Sequence, residues 1–240
     1  MIPIRPSVNA WPLPRSINLI EQSTLDFLAQ LKHNNERAWF NDHKDEYKAA
    51  LANFTDLVAI LLHNISGFDE RLVGVQPKEC LFRIYRDVRF SKDKSPYKTW
   101  FSASMKGGGR NMLFPGYYIH LEPGNSYLGG GVWHPPKEAL QNIREYIVNN
   151  YADLEKIVLS KKFKNHFGEM GGEQLKTAPK GFPKDHPQIK WLRYKDFLAG
   201  CSKNNVDFTS EKIIADFTAD YKAMFPFIQF LRTAITSYSG

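Results

Sequence analysis

Phe40, His43, Tyr47, Leu51, Phe54, Val58, Leu61 and Ile65 follow one another by steps of three or four. Lys44, Asp45 and Lys48 fall on the other side of the same cylinder. That period is the signature of a helix with one buried stripe. It predicts one long helix, or two collinear ones, from Glu36 to a stop at Gly67. His43 lies on the stripe and reads as a packed histidine. Upstream, Leu25, Leu28 and Leu31 follow Ser23, an N-cap candidate, and Asn34-Asn35 ends that helix and can cap the next.

The period then changes to two. Phe82, Ile84, Arg86, Val88 and Phe90 alternate with Arg83, Tyr85, Asp87 and Arg89, the pattern of a strand with a core face and a polar face. Further strands are predicted at 99–105, 117–122 and 126–128. Pro123-Gly124-Asn125 turns the chain between the last two, and Gly129-Gly130-Gly131 closes the sheet. Pro135-Pro136 opens a helix carrying Leu140, Ile143 and Ile147, with continuation through Tyr151 to Leu159. Residues 163–187 read as an ordered loop. Asp185 and Gln188 cap a short helix through Leu192, and two last helices start at Ser210 and Pro226. The expected class is α+β, a central antiparallel sheet of about four strands flanked by N-terminal and C-terminal helices. Pro3, Pro6, Pro12 and Pro14 make residues 1–17 an extended arm, and 18–240 is expected to form one domain.

Composition narrows the class. With 42% apolar and 14% aromatic residues in 240, the chain can bury a core and is no disordered or low-complexity protein. Cys80 and Cys201 are too few for a disulfide framework, which points to a reducing, cytoplasmic setting. The prolines of the arm interrupt any signal-peptide core. The longest strongly apolar run, Leu57 to Leu62, is too short to span a membrane, so no membrane partner is expected. The sequons at Asn53 and Asn64 fall inside the long helical pattern, where glycosylation is not expected.

The net charge of +7 matters because of where the cations lie. Between Arg83 and Lys98 six residues are basic and two acidic. Arg83 and Arg89 flank Asp87 on one face, where a carboxylate can pair bidentately. Lys92, Lys94 and Lys98 carry the charge into a turn set by Ser95-Pro96, with hydroxyls at Ser91, Ser95 and Tyr97. Guanidinium forks, point-charge amines and hydroxyl donors together suit a phosphate or a carboxylate. The ligand-binding candidates are Arg83, Arg89, Lys92, Lys94, Tyr97 and Lys98, and the expected partner is a small phosphorylated ligand. Tyr85, Asp87 and His120 are the candidate proton-transfer groups. A second reading is equally open: Asp87 and Asp93 neutralise the cations and the segment is a salt-bridged structural turn, with Arg86 on the core side paired to a packing helix.

A nucleic-acid or protein interaction module is the alternative class. Tyr85, Phe90, Tyr97, Trp100, Tyr117 and Tyr118 are interleaved with the cations, although no nucleic-acid-binding signature occurs. No phosphate loop, dinucleotide fingerprint, nucleophile elbow or CxxC pair is present, and no cofactor is expected. Cys80 reads as a core residue. The histidines lack metal-ligand spacing. His120, Glu122 and His134 could converge, but His120 and Glu122 also share the exposed face of a strand, and no metal site is expected.

Several motifs together resemble the conserved hypothetical bacterial proteins grouped as domain of unknown function 2461. They are Asn34-Asn35 with Arg37 and Trp39-Phe40, the run Arg83 to Lys98, Leu128-Gly129-Gly130-Gly131 with Trp133, and Lys180-Gly181-Phe182 before Asp185-His186-Pro187. The match covers roughly residues 22 to 235, leaves the arm outside, and departs at Ala178-Pro179, where two prolines are the norm. The resemblance implies a single α+β domain in an intracellular bacterial protein and carries over no catalytic residue.

Overall fold

The computed structural model describes residues 20–237, so the arm expected at 1–17 lies outside the described residues. Helices α1 (Gln22–His33), α2 (Arg37–Asp42) and α3 (Lys44–Ser66) come first, then a short 3-10 turn (Glu70–Leu72) and α4 (Pro77–Cys80). Strands β1 (Phe101–Met105), β2 (Gly116–Leu121) and β3 (Ser126–Val132) follow. Helices α5 (Lys137–Val158), α6 (Lys161–Phe167) and α7 (Ile189–Leu192) lead to β4 (Phe197–Lys203), α8 (Asn205–Thr209) and α9 (Ile213–Thr236). The strands pair antiparallel in the order β1-β2-β3-β4, and the class is α+β.

The helical stripe packs as its period requires. Phe54, Leu57, Val58, Leu61 and Ile65 are buried, and Phe54 stacks on Phe101 of β1 at 5.6 Å. The stripe is two helices, broken at His43, whose ring stacks on Trp39 at 4.0 Å. By length and composition α3 could cross a membrane, yet its apolar side is spent on this core. Ser23 does not cap α1. Glu21 occupies that position, and its N–H and the Thr24 hydroxyl both donate to the side-chain Oδ1 of Asn53, at 2.9 and 2.8 Å. Asn53 is therefore a buried link between α1 and α3.

The sheet has four strands, but its membership differs from the expectation. Residues 81–90 do not form a ladder strand. The chain runs along the free edge of β1 by isolated contacts, with Leu81 opposite Ala103 and Tyr85 opposite Tyr97. The Phe82 N–H donates to Ser102, the Lys98 N–H to Ile84 and the Arg86 N–H to Pro96. Regular pairing stops because the aspartates offer the backbone local partners. Asp93 accepts from the Ser95 N–H and Asp87 from the Arg89 N–H, which curls 87–95 into a loop. Ile84 is core, whereas Phe90, on the same predicted face, is 96% exposed.

The fourth strand is β4, which sequence periodicity misses because Gly200 and Ser202 interrupt its apolar run. The glycine triplet 129–131 belongs to β3 and pairs with β4. Glycine is required there by close packing. A Cβ on Gly130 would sit 2.3 Å from the Met224 sulfur of α9, and one on Gly131, at φ +122°, 2.0 Å from the Phe197 oxygen. Two helical expectations also change. Ser160 caps α6, which runs on into the stretch read as loop from 163, and Pro226 lies within α9 instead of starting a helix. An interior proline costs about 3 kcal/mol. Phe227, Ile228 and Leu231 beside it are fully buried, at about 1.5–3 kcal/mol each, and hold the helix together across it.

Every second residue of the sheet faces the helices. Phe101, Ala103, Tyr117, Ile119, Leu121 and Leu128 are buried there, and the same alternation turns Ser102, Tyr118, His120 and Tyr127 to the opposite face. Truncation of Phe54 to alanine, at the centre of the helix side, is expected to cost about 3–5 kcal/mol. A thermal melt of Phe54→Ala superimposing on wild type would contradict this packing.

Candidate functional site

The basic loop and the outer face of the sheet adjoin along the edge of β1. The loop is anchored from α1 and α2 by Asn35, whose side chain imitates a strand neighbour. It donates to the Tyr97 carbonyl and accepts the Tyr97 N–H, both at 3.0 Å. Tyr97 is buried and its ring stacks on Phe40 at 4.0 Å, so it fixes the loop.

Much of the loop's charge is neutralised internally. Arg89 meets Asp87 with two hydrogen bonds, at 2.9 and 2.6 Å, in the bidentate form. Arg86 pairs with Asp93, and not with a helix carboxylate, and also donates to the Ser95 carbonyl. Arg89 holds the Asp87 carboxyl down at about 2, and the Ser95 donors with Arg86 hold Asp93 at about 2. Lys94 donates to the Val88 carbonyl at 3.0 Å. Tyr85, half exposed, packs on Tyr97 and Phe40 away from His120. Asp87, committed to Arg89, is no proton carrier at neutral pH.

Three cations remain. Arg83 and Lys92 have no hydrogen-bond or ion-pair partner among the described residues. Lys98 is half-buried with its amine 5.4 Å over the Phe82 ring. Burial first, and then the neighbouring Arg83, push its pKa down. The Asp87 carboxylate feels the Arg83 charge as well as that of Arg89, but no carboxylate bonds either Arg83 or Lys98, and an anion between the two cations would relieve their repulsion.

Across β1 lies the His120 cluster. The ring is 6% exposed, between Tyr127 at 4.7 Å and Trp100 at 5.4 Å, both stacked. Nδ1 lies 3.1 Å from the Tyr118 hydroxyl and Nε2 3.3 Å from Glu122. Burial pushes the imidazole pKa below its usual 6.5, outweighing the pull of Glu122. Burial alone would raise the Glu122 carboxyl, but hydrogen bonds from Asn125 at 2.8 Å, His120, and Thr99 at 3.1 Å bring it below the ordinary value. The 3.3 Å contact is therefore a hydrogen bond from neutral imidazole to carboxylate, not an ion pair. Its Nε2 carries the hydrogen and Nδ1 accepts from Tyr118. Such a chain can hold or pass a proton between Tyr118 and His120 with Glu122 as the orienting charge.

His134 does not join this group: its ring packs edge-on against Trp133 at 4.3 Å, while its backbone N–H donates to the Asp196 carboxylate at 2.6 Å. Among the described residues no three His, Cys, Asp or Glu side chains are placed to hold a metal. Cys80 is buried and its thiol is pushed up to about 12, which leaves it a core residue. Sequence reading found His120 and its shared face with Tyr118 and Glu122. It did not find Tyr127 as the second stacking ring, because the short strand predicted at 126–128 gave no register against β2. It also did not find Asn35 as the anchor of the loop.

A depressed histidine pKa gives stability that is full above 6.5 and is lost as pH falls through the lower native value. Urea unfolding of wild type is expected to lose midpoint between pH 7.5 and pH 5, and His120→Asn to lose less over the same interval. Equal losses in both proteins would show that His120 is not the titrating group.

Searches among curated proteins and among solved structures give no match. One family model does match, over residues 23–230, which takes in all four strands, every helix but the first residue of α1 and the last residues of α9, Asn35, the basic loop and the His120 cluster, and the chain belongs to the conserved hypothetical protein family DUF2461.

Proposed function

We propose that the protein binds a small anionic, phosphorylated ligand where the basic loop meets the outer face of the sheet. The observation that carries this reading is the pair Arg83 and Lys98, adjacent cations that form no ion pair of their own once Asp93 is bonded to Arg86 and Asp87 to Arg89. A phosphate there would accept from the guanidinium and the amine together. Lys92, exposed on the same loop, adds long-range attraction, while Arg89, Lys94 and Tyr97 shape the loop. Of the proton-transfer candidates, His120 keeps that role through Tyr118. That arrangement is compatible with an enzyme acting on the bound ligand. The two cysteines are free thiols, which suits the cytoplasm, and the family resemblance suits a bacterial one.

One observation favours the alternative of an interaction module binding single-stranded nucleic acid. Phe90 projects from the loop at 96% exposure, with the Arg89 guanidinium 5.8 Å from its ring. An aromatic tip beside cations can stack a base.

A thermal-shift series separates these readings. Phosphorylated compounds are expected to raise the wild-type melting temperature with concentration. Arg83→Ala and Lys98→Ala should melt near wild type and lose the rise, and Phe90→Ala should keep it. A rise given by oligonucleotides alone, steeply weakened by salt and lost in Phe90→Ala, would support the interaction module instead. If no anion stabilises wild type, the segment is structural.

A further inference from the structure

We propose that the ligand of this face carries two separated anionic groups, one held by Arg83 and Lys98 and the other by Lys106, further along the sheet. The inference rests on the anion-binding reading above and follows from where the strand register puts a cation outside the basic loop.

Lys106 directly follows β1. Phe101, Ala103 and Met105 turn to the helices, so the alternation turns Ser102, Ser104 and then Lys106 outward. Gly116 confirms the side. It shares the outer face of β2 with Tyr118 and His120, and a Cβ there would sit 2.5 Å from the Lys106 Cβ. The lysine stem thus lies along the outer face, in the space that a side chain at Gly116 would need. The Gly109 N–H donates to the Lys106 carbonyl at 3.0 Å and closes the turn that follows. Lys106 is partly buried, and its amine has no hydrogen-bond or ion-pair partner among the described residues. Burial pushes its pKa down with no carboxylate acting against it. A charge taken out of water is ordinarily paired.

Charge therefore changes sign along the outer face of β2. Glu122 stands at one end and already accepts from His120, Asn125 and Thr99. Tyr118 lies in the middle, and Lys106 stands over Gly116 at the other end. The Arg83 and Lys98 pair approaches from the β1 edge, with the Lys98 amine 5.4 Å over Phe82 and Phe82 6.3 Å from Tyr118. A phosphate held by that pair has a carboxylate to one side and an unpaired ammonium to the other. A second acid group on the same ligand is repelled by Glu122 and attracted by Lys106. Tyr118 and Gly116 are about 7 Å apart along the strand, a span that a chain of several carbons covers. The Phe82 and Tyr118 rings give that chain an apolar surface. Inorganic phosphate or a simple monophosphate ester would fill the first position and leave Lys106 unpaired.

Calorimetric titration with straight-chain alkane bisphosphonates, phosphonate at each end and propane to octane in length, and with the matching alkylphosphonates, tests this. Wild type is expected to bind the best-fitting bisphosphonate about tenfold or more tighter than its alkylphosphonate, as for one added contact between charged groups. Lys106→Met keeps the shape of the stem and removes the charge. It should bring the two compounds to near equality and leave the affinity for the alkylphosphonate nearly unchanged. It should also melt at or above wild type, because an unpaired, partly buried charge is gone. Arg83→Ala should weaken both series. Equal binding of the two series by wild type would overturn the second anionic position and leave the first standing. A preference that survives Lys106→Met would also overturn it. So would a Lys106→Met protein that melts far below wild type, since the amine would then have its partner within the protein. If neither series binds, both readings fail.

Discussion

One-sided burial of a four-stranded antiparallel sheet is the constraint on which the rest of this structure depends. Helices α3 and α9 cover one face, and strand alternation then leaves no choice about what the other face displays. In β2, Tyr117, Ile119 and Leu121 go to the helices, so Tyr118, His120 and Glu122 go outward together. A one-residue slip of β2 would bury a histidine and a carboxylate among phenylalanines. The helix side is pinned by Asp69, which accepts from Arg232 at 2.8 Å and from the Tyr117 hydroxyl at 3.0 Å. Removing either partner of such a buried pair strands the other, so α9, the 3-10 turn and β2 are held in one arrangement.

The outer face is polar yet largely dry. Trp100, Tyr118 and Tyr127 shield His120, and that burial is what keeps the imidazole neutral despite a carboxylate at its Nε2. The same shielding strengthens each hydrogen bond in the chain. The basic loop works differently. Its aspartates are exposed, and their pairs with Arg86 and Arg89 contribute little to stability. Their effect is on shape: they hold the loop and use up two of the three arginines. Charge left over on Arg83 and Lys98 then stands beside the sheet face, which joins the two regions into one candidate site.

Much of this was legible in the sequence, for physical reasons that also explain the gaps. Long amphipathic periods such as Phe40 to Ile65 repeat often enough to specify a helix and its buried side. The turn at Pro123-Gly124-Asn125 was readable because Gly124 needs positive φ. Residues 81–90 have strand periodicity, but Asp87 and Asp93 compete for the backbone, and periodicity does not register that competition. Strand β4 was hidden because Gly200 and Ser202 carry no apolar signal, and its place is set by pairing with the glycines of β3. Within the site, the identity of His120 was visible, whereas its partners were not. Asn35 reaches Tyr97 across 62 residues, and Tyr127 reaches His120 only once β2 and β3 are in register.

The central claim is a neutral His120 whose Nε2 hydrogen points to Glu122 and whose Nδ1 accepts from Tyr118. Nitrogen-15 NMR of the imidazole, using long-range correlations to the ring protons at pH 7, reads this state directly. The predicted result is a neutral ring protonated at Nε2, with its Nδ1 resonance shifted in Tyr118→Phe. A ring protonated at Nδ1, or an imidazolium at that pH, would contradict the direction of the whole hydrogen-bond chain.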